Sequence, residues 1–137
     1  MATITVPVLA ITNVNDTTVR LSVSYTLTPT LIEKQAGSVF SETIKLFADD
    51  PALDLVISNF PTQSFAVNAN TVNVARTRTR NELKGTLNED AGFEVTGAEQ
   101  VDEVYAQVTV IYAANPPVVP TPPAPRKSNI VTGAWHT

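Results

Sequence analysis

The sequence predicts an all-β chain: an antiparallel β-sandwich, Ig-like or jelly-roll-like, with an extended proline-rich C-terminal arm. Three observations lead there. Short runs rich in Val, Ile, Thr, Tyr and Phe recur along the chain, separated by Asn, Asp, Pro and Gly turns. Neither strand–helix alternation nor an internal repeat accompanies them, which sets α/β layouts aside. Finally, six of the ten prolines crowd between Asn115 and Pro125, where a polyproline II stretch is expected instead of a central strand.

Taken in order, Thr3 to Ile11 reads as a strand whose apolar parity changes after Pro7. A bulge or an edge position follows, because proline cannot donate to a ladder. Asn13-Val14-Asn15-Asp16 is a turn. Val19, Leu21, Val23, Tyr25 and Leu27 then alternate with Thr18, Arg20, Ser22, Ser24 and Thr26, the pattern of a half-buried antiparallel strand able to form a hairpin with the first. Pro29 to Ser38 reads either as a helical turn closed by Gly37 or as a long connection. Phe40 to Phe47 is a strand, with Phe40 set off from the face of Glu42, Ile44, Leu46 and Ala48, and with Glu42 near its mouth. Leu53 to Ile57 is a short strand, and Phe65-Ala66-Val67 is strand or loop. Ala98 to Val104 contains helix formers enough for one or two turns before the run Tyr105 to Tyr112, the densest β-forming stretch in the chain. The organisation expected is a domain over residues 1–114 and an arm over residues 115–137 that ends in an apolar anchor, Ile130, Val131 and Trp135.

Bulk composition narrows the function classes. The chain has 137 residues, 16% of them charged, a net charge of -4 and no cysteine. Disulfides and thiolate sites are therefore excluded, and an acidic balance gives nucleic acid no general attraction. No apolar run approaches membrane-helix length. The first residues lack a basic n-region, so no signal peptide is expected.

Two charged groups stand out. Val72 and Val74 share a parity with Arg76, Arg78 and Arg80, so an apolar stripe becomes a row of three like charges that must meet acids. The candidates are Glu89, Asp90, Glu94, Asp102 and Glu103, in this chain or in a neighbouring copy. Those carboxylates, with Glu99, could also ligate Ca²⁺ or Mg²⁺, yet they lack EF-hand spacing and read more simply as a solvated loop. Arg76, Arg78 and Arg80 with Lys84 could contact phosphate, but no aromatic residues interleave them. The lone His136 supports neither a triad nor zinc, and Gly85, Gly92 and Gly97 form no phosphate-binding pattern.

No enzyme, metal or cofactor is therefore expected. The reading favoured is a structural protein that forms or decorates a homo-oligomeric assembly (a virion, fibre or other particle) with copies of itself or other particle subunits as partners. Its contacts would be the uncharged N-terminal edge, the arginine row, the acids Glu89, Asp90, Asp102 and Glu103, and the anchor Ile130, Val131 and Trp135. The compartment this implies is a virion or extracellular particle assembled from the cytoplasm. The alternative is a carbohydrate- or ligand-binding accessory module presenting Tyr25, Tyr105, Tyr112 and Phe93, which an exposed row of rings would support.

Overall fold

The computed structural model describes residues 2–49, 54–87, 102–117, 123–133 and 135. Among them the elements run β1 (Thr3–Ile4), β2 (Val8–Asn13), β3 (Thr18–Thr28), α1 (Leu31–Ala36), β4 (Val39–Ala48), β5 (Leu55–Asn59), β6 (Gln63–Ala66), β7 (Val74–Leu83), α2 (Lys84–Leu87), β8 (Asp102–Ala114), β9 (Arg126–Lys127) and β10 (Val131–Gly133). All described strand pairs are antiparallel, and they form two sheets.

The first sheet is built on β3, with β7 along one side and β2 and β1 sharing the other. β3 sits centrally because its alternation is unbroken: Val19, Leu21, Val23, Tyr25 and Leu27 are all buried. The hairpin with β2 forms because Asn15 Oδ1 accepts from the N–H groups of both Thr17 and Thr18, each at 2.9 Å, which fixes the turn. The parity does change here, but before Pro7 instead of after it, because Pro7 is already buried on the face of Leu9 and Val6 does not share the face of Ile4. Ile4 and Leu9 point into the core while Val6 and Val8 are exposed, and the edge is split there into β1 and β2.

The second sheet is built on the β4–β8 pair. β5 and β6 share the far side of β4, and β9 and β10 share the far side of β8. The even residues Phe40, Glu42, Ile44, Leu46 and Ala48 are all buried. Phe40 is thus on the same face as Glu42, not off it, since positions two apart on a strand share a side. The two sheets share one core, with Phe40 stacked at 5.7 Å on Phe65 and 5.3 Å from Tyr112.

Helix α1 settles the ambiguity at residues 29–38. Thr30 and Glu33 form a capping box, and Gly37 at φ 64° supplies the left-handed C-cap that a side chain would disfavour. Turns expected within Ala98 to Val104 are corrected in part. Asp102, Glu103 and Val104 are strand residues, where pairing with β4 outweighs local helix preference, while 98–101 lie outside the described residues.

β8 ends at Ala114 as the composition change suggests, and Asn115 turns the chain away at φ 56°. The described part of the expected arm does not extend from the domain. Residues 126–133 return to β8, whose side opposite β4 is otherwise open from Asp102 to Val108. Three of the four sheet sides are thereby made of two short pieces each, a broken outline that discourages pairing with foreign strands.

Candidate functional site

The arginine row of β7 faces inward. Glu42, fully buried on β4, receives Arg76 Nε at 3.0 Å and Arg78 Nη1 at 2.5 Å, and the Tyr25 hydroxyl from β3 donates to the same carboxylate. Burial alone would raise the Glu42 pKa, but the hydrogen bonds from Arg76, Tyr25 and Arg78 carry it below the usual carboxylate range. Burial and the adjacent Glu42 push the Tyr25 phenol well up. The remaining guanidinium donors reach the side of the second sheet: Arg76 to Gln63 Oε1 at 3.0 Å, Arg78 to the Pro61 carbonyl at 2.7 Å and Arg80 to the Asn59 carbonyl at 2.6 Å. Arg76 also lies 4.5 Å over the Phe65 ring. The cluster is a clasp between the open flanks of the two sheets. Its donors and acceptors are committed to one another, which leaves it little chemistry to offer a substrate.

The row therefore meets an acid, as its charge demanded, but that acid is Glu42 and not the late carboxylates. Glu89 and Asp90, with Glu94 and Glu99, lie outside the described residues. Asp102 is buried at the start of β8, and Glu103 is exposed opposite Thr132. Glu42 carried a readable signal: its parity is that of Ile44 and Leu46, so a carboxylate on that face must find donors inside.

A second buried carboxylate closes the sheets near α1. Glu33 accepts from Thr30 N at 2.7 Å and Ala2 N at 3.3 Å, and Tyr112 donates to it. Burial opposes its charge, but the Thr30 and Tyr112 hydrogen bonds win and lower its pKa. The Tyr112 phenol is pushed up to about 12 by burial and by Glu33. On the outer face of the second sheet, Tyr105 stacks on Phe47 at 5.3 Å and 9°, donates to Asp54 at 2.6 Å and lies under Lys127. The tyrosines thus form no exposed row: Tyr25 and Tyr105 are buried and Tyr112 is half-buried. Phe93 lies outside the described residues.

The outer face of the first sheet presents a row of small hydroxyl residues. Ser22 pairs across to Thr79, Ser24 to Thr77 and Thr26 to Ala75, with Ala10 and Val8 of β2 on the other side of Ser22 and Ser24. Small hydroxyl side chains therefore repeat at about 4.8 Å across the strands and about 6.8 Å along them. A shallow groove of about 260 Å³ crosses this face beside the Pro7 break, lined by Val6, Val8, Ser24, Thr26 and Thr77 among others.

The anchor residues divide. Trp135 is buried in the core, Val131 packs against it, and Ile130 is exposed. Sequence reasoning missed their neighbour Asn129, which accepts from Leu9 N at 2.8 Å and donates to Leu9 O at 3.1 Å. Arg126 likewise donates to the Ile4 carbonyl at 2.9 Å. Both side chains cap the bare flank of β1 and β2 while their backbone runs along β8.

Among the described residues no helix is long and apolar enough to cross a membrane. No protein-family model and no curated protein matches the chain. In fold it is similar to the solution structure of AT1g01470 from Arabidopsis thaliana, with a TM-score of 0.52 at 11% identity; the match covers 97% of this chain and 80% of that one. The likeness is one of fold alone; the two antiparallel sheets are those of the chain itself.

Proposed function

We propose that the chain is a non-enzymatic β-sandwich accessory module, Ig-like or jelly-roll-like, that binds a carbohydrate or similarly polyhydroxylated ligand. The observation that carries this reading is the hydroxyl face of the first sheet, exposed at Thr77 and Thr79 and half-buried at Ser22, Ser24 and Thr26, with its groove of about 260 Å³. Hydroxyls both donate and accept, and a fixed lattice of them matches a ligand that does the same. With the tyrosines occupied elsewhere, recognition rests on hydrogen bonds more than on ring stacking. Weak binding with little salt dependence is expected, since Ser22, Ser24, Thr26, Thr77 and Thr79 are uncharged and Arg76, which also lines the groove, is paired with Glu42. The test is retention on a panel of polysaccharides by affinity electrophoresis. Ser24→Ala combined with Thr77→Ala should weaken retention about thirtyfold, at about 1 kcal/mol for each of the two lost hydrogen bonds. Retention of no polysaccharide, or equal retention of the variant, overturns the reading.

A second reading, a subunit of a homo-oligomeric assembly such as a virion or fibre, is favoured by one specific observation. The segment 126–135 is a self-contained docking peptide with a strand, a cap and an apolar anchor. Light scattering on the full chain tests it: a mass above that of one chain supports it, and a single-chain mass at every concentration sinks it.

A further inference from the structure

The slot between the side of β8 and the flank of β1 and β2 is built to accept a strand. Backbone pairing joins Arg126 and Lys127 to Val108 and Gln107, and Val131, Thr132 and Gly133 to Val104, Glu103 and Asp102. Between those pieces Ser128 takes one rung of the ladder. Its N–H donates to the Ala106 carbonyl at 2.8 Å, and its Oγ accepts from Ala106 N at 2.8 Å. Asn129 and Arg126 bond the opposite sheet, and Trp135 is buried in the core close to Gly133. Gly133 is required there, because a Cβ on it would lie 2.8 Å from the Trp135 ring. The hydrogen bonds of the segment to the sheets thus go to β1, β2 and β8.

We infer that this slot is an exchange site, and that its partner is the same segment of a second copy of the chain. This deepens the assembly reading and rests on it. Three further observations favour exchange. β8 leaves its sheet at Ala114, yet Arg126 lies opposite Val108, so in one chain the connection must double back about 20 Å along β8. That connection carries six prolines in residues 115–125, a composition that favours extension and resists such a return. Run straight, it spans about 34 Å, enough to reach an adjacent copy. Both ends of the return are fixed, the first by Ser38 Oγ donating to the Asn115 carbonyl at 2.7 Å and the second by the pairing of Arg126 with Val108. Exchange preserves every contact in the slot and removes only the bend, the usual route to a swapped oligomer.

A cysteine pair reads this directly, because the chain has no cysteine of its own. Glu103 and Thr132 are exposed partners on β8 and β10. The Glu103 carbonyl is already bonded to Asp49 N at 2.7 Å on the β4 side, so the pair with Thr132 is of the non-hydrogen-bonded kind. Its Cα atoms lie about 4.5 Å apart, within disulfide reach. The full chain with Glu103→Cys and Thr132→Cys is refolded at rising concentration, oxidised and run on a denaturing, non-reducing gel. The expected product is a covalent dimer or ladder that grows with concentration, absent from either single-cysteine variant. Covalent monomer alone at all concentrations overturns exchange. If light scattering then still shows an oligomer, assembly stands and uses another surface; if it shows one chain, both fail. No crosslink of any kind overturns the slot itself.

Discussion

Glu42 holds three donors from two strands of the opposite sheet, so its charge is more consequential than any other single group in the core. Glu42→Gln leaves two guanidinium groups without their anion, and a loss of about 3 kcal/mol is expected in urea unfolding. A loss below about 1 kcal/mol would show that hydrogen bonding without charge suffices. Tyr25→Phe removes a neutral donor and should cost about 1 kcal/mol. The pH dependence follows from the direction of the shifts. Glu42 and Glu33 titrate below their unfolded value of 4.5, so their contribution is complete above that value and is lost as pH falls through the lower folded ones. The thermal midpoint should therefore hold level above about pH 5 and drop at more acid pH, and Glu42→Gln should flatten that drop. On the alkaline side, Tyr105 and Tyr112, pushed up to about 12, contribute below pH 10 and lose that contribution as pH rises through 12.

Among the elements, strands with a strict two-residue period were the most legible, since β3 and the inward face of β4 each carry their burial in local sequence. The split at Pro7 and the Gly37 cap were legible for the same reason: each depends on the backbone of one residue. The partner of the arginine row was not. Arg76 and Arg78 find Glu42 more than thirty positions away, through a register that no local pattern encodes. The return of residues 126–133 was hidden because its strands are two and three residues long and much of the attachment is made by side chains. That attachment is testable through the chain's one tryptophan. Gly133→Val should push Trp135 out of the core and shift its emission to the red, whereas Thr132→Val, on the exposed side of β10, should leave it unchanged. Gly37→Ala meets no steric obstacle but forces a side chain into left-handed backbone, at an expected cost of about 1 kcal/mol.

At the scale of the whole molecule, two sheets become one body because both flanks are closed by side chains that cross from one sheet to the other. On one flank Arg76, Arg78 and Arg80 reach Gln63, Pro61 and Asn59, with Ser58 donating to Glu82 at 2.8 Å. On the other, Arg126 and Asn129 reach Ile4 and Leu9. Asn129→Ala should leave the core intact, yet bare the Leu9 amide and carbonyl. The expected result is a modest loss of stability, about 1 to 3 kcal/mol, with faster aggregation on mild heating, followed by light scattering. Equal aggregation rates would show that the cap does not guard this flank.

The order in which the chain is made gives that second flank a meaning in time. Synthesis runs from β1 onward, and domains begin to fold while the remainder is still being added. The side of β8 and the Leu9 amide therefore wait uncovered until residues 126–135 emerge from the ribosome. A product released early would lack Val131 and Trp135 from its hydrophobic interior and carry two sticky borders, and it would be a marked target for chaperones and proteases. Residues 126–135 thus close, after all the other described strands have been made, the two borders that those strands leave bare.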